Sequence, residues 1–71
     1  MTEAELIEQS FDIAWSALER SGELGNRCDA ARFLLDEITA LSRSGRRHRL
    51  VLSNLAIDAY RRWHLPLRLV S

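Results

Sequence analysis

Cys28, His48 and His64 are the usual nucleophile and base types in the sequence. Together they could support nucleophilic catalysis, in which an imidazole activates a thiol. That chemistry needs a positional setting, and no glycine elbow or other signature flanks any of the three. As metal ligands they do no better. One Cys and two His at spacings of 20 and 16 residues match no zinc pattern, and no Glu-x-x-His pair is present for a di-iron bundle. The expectation is therefore a chain without catalytic, cofactor or metal site, in which Cys28 is a structural residue at a helix margin. A domain with a radius of gyration near about 11 Å also leaves little room for a concave pocket.

A second chemistry is anion recognition. Arg43, Arg46, Arg47 and Arg49, with His48 among them, form the densest basic cluster. Two readings compete. The guanidinium groups could contact phosphate beside free helix amides, or they could pair with acids of the first helix or with Asp36 and Glu37. A helix-turn-helix reader of DNA would also present Asn54, Asp58, Arg61 and Arg62 on one exposed face. Asp58 argues against this, because a carboxylate repels the phosphate backbone, and Asp58 with Arg62 reads more simply as an i, i+4 ion pair. Net charge is zero, from 10 acids and 10 arginines, which gives no long-range pull on a polyanion. The signs are nevertheless separated. Residues 1–37 carry nine carboxylates against three arginines, a balance of −6, and residues 38–71 carry seven arginines against Asp58, a balance of +6. Self-neutralisation, with acidic helices folded onto a basic one, is the simpler meaning. The acidic stripe Glu5, Glu8, Asp12 and Glu19 reads as a solvated face rather than a dock for a basic partner.

These residues must be positioned by helices. Thr2 with Glu5 forms a capping box, and Ile7, Phe11, Ala14, Trp15 and Leu18 recur at the helical period up to the stop at Ser21-Gly22. Asn26 caps a second helix from about Arg27 to Arg43, with a stripe of Ala31, Leu34, Leu35, Ile38 and Leu41 and a stop at Ser44-Gly45. A third helix runs from about Arg46 to Trp63, with Leu52, Leu55, Ala56, Ala59, Tyr60 and Trp63 on one stripe and Val51 beside it. His64-Leu65-Pro66 should end it. The expected fold is all-α, a small antiparallel three-helix bundle over residues 1–64 with a short apolar C-terminal tail over 65–71. Trp15 and Trp63 are expected in the core.

The run Phe11-Asp12-Ile13-Ala14-Trp15 with Leu18 and Ser21-Gly22, the turn at Gly45, and Leu52-Ser53-Asn54-Leu55-Ala56 resemble a group of small, uncharacterised helical proteins of alphaproteobacteria. The resemblance covers most of the chain, rests on generic motifs, and implies a helical fold but no activity, substrate or cofactor. In that group the turn after the second helix often reads Gly-Glu-Arg-Asp. This chain has Gly45-Arg46-Arg47-His48, so the basic cluster is a departure from that pattern.

Excess hydrophobicity points elsewhere. On a helical wheel Leu50 and Ile57 lie about 140–160° from the Leu52/Leu55/Ala59 stripe. Phe33 falls among Asp29, Asp36 and Glu37, and Leu65, Leu67 and Leu69 follow in the tail. One helix cannot hide two opposite faces in the same core, so Leu50, Ile57, Phe33, Leu65, Leu67 and Leu69 form the candidate interface, unless the tail folds back over Leu50 and Ile57. A chain of 71 residues buries only about 60% of its unfolded surface, and its one cysteine provides no internal disulfide, so a second chain is expected to reinforce it. The acidic start Thr2-Glu3-Ala4-Glu5 lacks the pattern of a secretory signal, and no apolar run approaches the roughly 20 residues of a membrane span. Arginine used in place of lysine throughout fits a GC-rich bacterial genome. The expected function is a small cytoplasmic, non-catalytic protein-interaction module, a homodimer or a binder of another protein. A nucleic-acid-binding regulator using Arg43 to Arg49 is the alternative.

Overall fold

The computed structural model describes the backbone of residues 2–70 and the side chains of residues 2–63. It consists of α1 (Glu3–Arg20), α2 (Arg27–Arg43) and α3 (Arg49–Val70), and all three pairs of helices are in contact. Among the described residues there is no strand. Each boundary has a local cause. The Thr2 hydroxyl accepts from the Glu5 amide at 3.2 Å, and Asn26 Oδ1 accepts from the amides of Cys28 at 3.0 Å and Asp29 at 3.1 Å. At the other end of α1, Glu23 donates its amide to the Leu18 carbonyl at 2.9 Å and Gly22 donates to Glu19 at 3.2 Å, a Schellman closure. It requires the left-handed backbone that Gly22 supplies at φ +71°.

The third helix departs from expectation at both ends. It begins at Arg49 rather than Arg46, with the His48 carbonyl accepting the Leu52 amide at 2.9 Å. It also continues through Pro66 to Val70, where the sequence predicts a stop and a separate tail. A proline forfeits the hydrogen bond of its own nitrogen and crowds the carbonyl four residues before it, but the residues after it keep their donors. The continuous helix also removes the fold-back alternative. Residues 65–70 lie about 22–30 Å along the axis from Leu50, at 1.5 Å per residue, and cannot cover it.

The core is built from rows at strict i, i+4 spacing: Leu6, Ser10, Ala14 and Leu18 on α1, Ala30, Leu34, Ile38 and Ser42 on α2, and Leu52, Ala56 and Tyr60 with Ser53 on α3. These rows mix Leu, Ile and Tyr with Ala and Ser, and several large residues of the neighbouring rows face outward. Leu35, assigned to the core by periodicity, is 48% exposed, and Trp63 is 43% exposed. Val51 is exposed, and Trp15, Leu55 and Ala59 are only half-buried. In the opposite direction, Ile57 and Phe33 pack against the core.

The buried serines are not equivalent. Ser10 donates to the Leu6 carbonyl at 2.7 Å and Ser53 to the Leu50 carbonyl at 3.0 Å, whereas the buried Ser42 hydroxyl has no partner among the described residues. An unmatched buried hydroxyl costs about 1–3 kcal/mol relative to a satisfied one. Ser42→Ala should therefore raise stability by about 1 kcal/mol, a rise in Tm of roughly 4–8 °C for a domain of this size. Thermal unfolding that shows Ser42→Ala below the parent would contradict this account of Ser42.

Candidate functional site

The residues with chemical potential are dispersed. Cys28 lies exposed in the first turn of α2. His48 lies just before α3, about 25 Å away at the opposite end of the bundle, given the 17 residues of α2. The His64 side chain lies outside the described residues. Among the described residues no three His, Cys, Asp or Glu side chains converge as a metal site would need.

The basic cluster occupies the turn between α2 and α3. Arg43, Arg46, Arg47, His48 and Arg49 are all exposed. Self-neutralisation, the simpler reading of the charge layout, does not occur there. Arg49 donates to the Gln9 side-chain oxygen at 2.7 Å, and among the described residues no carboxylate pairs with Arg43, Arg46 or Arg47. The α3 N-terminus carries no acid in its first turn, so its amides and the guanidinium groups put positive charge at one place. The ion pairs that do form lie elsewhere. Asp58 and Arg62 make the expected i, i+4 pair at 3.3 Å, and Arg27 reaches Glu19 at 3.2 Å.

The opposite end of the bundle is closed by a polar clasp. Arg61 grips Glu23 through two hydrogen bonds of 2.9 Å, and Tyr60 donates its hydroxyl to the Glu23 carbonyl at 3.3 Å while accepting the Gly25 amide at 3.4 Å. The hydrogen bond to Glu23, reinforced by its charge, holds the Arg61 guanidinium above its ordinary pKa. Beside the clasp Phe33 stacks on Trp63, with ring centres 4.9 Å apart, and meets Tyr60 edge-on at 5.9 Å. Phe33 is thus an aromatic bracket between α2 and α3 rather than an isolated surface residue.

The most distinctive surface feature is an apolar groove between α1 and α2. Ala4, Ile7 and Phe11 line it from α1 and Ala31 and Leu35 from α2, with Glu8 and Arg32 at its edges, and its volume is about 620 Å³. Phe11 is backed by Trp15, stacked at 5.6 Å, and Arg27 lies over the Trp15 ring at 6.0 Å. No family model, curated protein or solved structure matches the chain. The surface must be interpreted from its own geometry.

The expected interface is only partly assembled. Leu50 is 52% exposed at the start of α3, next to Arg47, His48 and Arg49. Ile57 and Phe33 are engaged with the core, and the side chains of Leu65, Leu67 and Leu69 lie outside the described residues. The groove was missed because Leu35 was assigned to the core. The buried row on each helix mixes Leu, Ile or Tyr with Ala and Ser, and the groove is lined by the apolar row next to it, Ile7 and Phe11 on α1 and Ala31 and Leu35 on α2. Among the described residues no helix is long and apolar enough to cross a membrane.

Proposed function

We propose that this chain is a small helical protein-interaction module that self-associates and has no chemistry of its own. The observation that supports it is the open groove of Ile7, Phe11, Ala31 and Leu35, a contiguous apolar surface on a domain whose own core is thin. Docking a second chain there would remove apolar area from water at about 25 cal/mol per Å², a substantial increment for a domain of marginal size. Sedimentation equilibrium should give about twice the 8.2 kDa chain mass at tens of micromolar, and Tm should rise with protein concentration. A monomer at high micromolar concentration with a concentration-independent Tm would reject self-association.

A second reading is favoured by one observation, the exposed Arg43, Arg46 and Arg47 left without carboxylate partners among the described residues. If Arg43, Arg46, Arg47 and Arg49 engage about four phosphates, log affinity for DNA should fall against log salt with a slope of roughly −3 to −4. Replacing Arg46 and Arg47 by Ala should flatten that slope by about two. Lack of binding to any nucleic acid at low salt would leave the cluster as a solvated turn.

A further inference from the structure

We infer that the groove between α1 and α2 is closed by a second copy of the chain, related by a two-fold axis parallel to the helices, so that α1 of each copy lies on α2 of the other. This inference rests on the self-association reading and adds the face, the geometry and the residues that fix them. The argument begins with the edges of the groove. Glu8 lines the α1 edge and Arg32 the α2 edge. Eleven residues make about three helical turns, so Glu19 falls in the same row as Glu8 and Arg43 in the same row as Arg32. One edge therefore carries two carboxylates and the other two guanidinium groups, at the same spacing of about 16 Å. Asp12 and Asp36 lie about 40° further round than Glu8 and Arg32 and about 20° further than Glu19 and Arg43, so Asp12 adds to the acidic edge and Asp36 offsets part of the basic one.

Within one chain these edges face outward on either side of the groove and do not meet. In the two-fold arrangement each acidic edge lies against the basic edge of the second copy. The register agrees. Because α1 ends at Arg20 and α2 begins at Arg27, antiparallel to it, Arg43 lies level with about the fourth residue of the chain, one turn below Glu8. Arg32 is offset from Glu19 by the same amount. Helical side chains lean toward the N-terminus of their own helix, so in antiparallel helices the members of each pair lean toward each other and span that turn. The alternative two-fold, perpendicular to the helices, stacks α1 on α1 and sets like charges together. The apolar floor is self-complementary in the parallel arrangement, with Leu35 of one copy level with Phe11 of the other. The interface that results is an antiparallel four-helix layer with opposite charge along both edges.

The test uses the full chain and the pair Glu8 and Arg43, both exposed and neither in an ion pair among the described residues. Glu19 is less suitable because Arg27 already holds it. Sedimentation equilibrium should show that Glu8→Arg and Arg43→Glu each weaken the dimer about tenfold, since every change is made twice per dimer, and that the double variant returns to within about twofold of wild type. Leu35→Glu should dissociate the dimer with helicity retained by circular dichroism, while Leu50→Glu, on a different face, leaves association unchanged. A dimeric wild type unaffected by the single reversals, or a double variant no stronger than the singles, overturns this geometry and leaves self-association standing. A dimer broken by Leu50→Glu and not by Leu35→Glu does the same. A monomeric wild type overturns both.

Discussion

Tyr60→Ala is expected to cost about 3–5 kcal/mol, the range for removing a buried aromatic ring. A chain of 71 residues has a total stability of roughly 4–10 kcal/mol, so little margin would remain. Tyr60 is the largest fully buried side chain, 1% exposed, and it sits in the same core cluster as Leu18, Ala30 and Leu34. Its ring also contacts Phe33 and Trp63, and its hydroxyl holds the connection between α1 and α2 at Glu23 and Gly25. Tyr60→Phe separates the two contributions. It keeps the ring and loses the hydroxyl, and should cost about 1 kcal/mol. Urea denaturation of the three proteins reads both. A cost below about 1 kcal/mol for Tyr60→Ala would mean that the core is not organised around this residue.

The number, type and order of the helices were legible because their signals are local. Thr2, Asn26, Gly22 and Gly45 set boundaries through hydrogen bonds and backbone angles that depend on a few neighbouring residues. The buried face was less legible. Periodicity identifies an apolar arc on each helix but does not say which row within that arc meets the other two helices. Here the buried rows mix large residues, Leu6, Leu18, Leu34, Ile38, Leu52 and Tyr60, with small ones, Ser10, Ala14, Ala30, Ser42, Ser53 and Ala56, and the small members are the ones that hydropathy passes over. Hydrophobicity ranks Leu35 and Leu55 above Ser42 and Ser53, so it points to the flanks. Pro66 departs for a different reason: proline in a helix carries a cost of about 3 kcal/mol rather than a prohibition, and α3 continues past it. The uneven charge layout predicts acidic helices folded onto a basic one, and among the described residues the structure realises this at one place. Sequence separation of charge does not tell which side chains come within reach of each other, and only the Glu23 and Arg61 clasp ties the acidic half of the chain to α3 by an ion pair among the described residues.

The comparison of Leu34 with Leu35, adjacent residues of one helix, carries this lesson into function. Leu34 is fully buried in the core cluster with Leu18, Ile38 and Tyr60, and Leu34→Ala should cost about 2–5 kcal/mol through lost transfer energy and the cavity left behind. Leu35 lies in the groove with half its surface exposed, so Leu35→Ala removes little from the folded monomer and should change its stability by less than about 1 kcal/mol. The two substitutions should exchange rank when association is measured. At low protein concentration urea midpoints should fall strongly for Leu34→Ala and hardly for Leu35→Ala. As concentration rises the wild-type midpoint should increase, because association stabilises the folded chain by mass action, and Leu35→Ala should lack that increase. Leu34→Ala should retain it on a lower baseline, since the groove that it leaves intact lies on the adjacent row of α2. If Leu35→Ala instead destabilised the chain equally at all concentrations, Leu35 would belong to the core after all, and the groove between α1 and α2 would not be the docking surface.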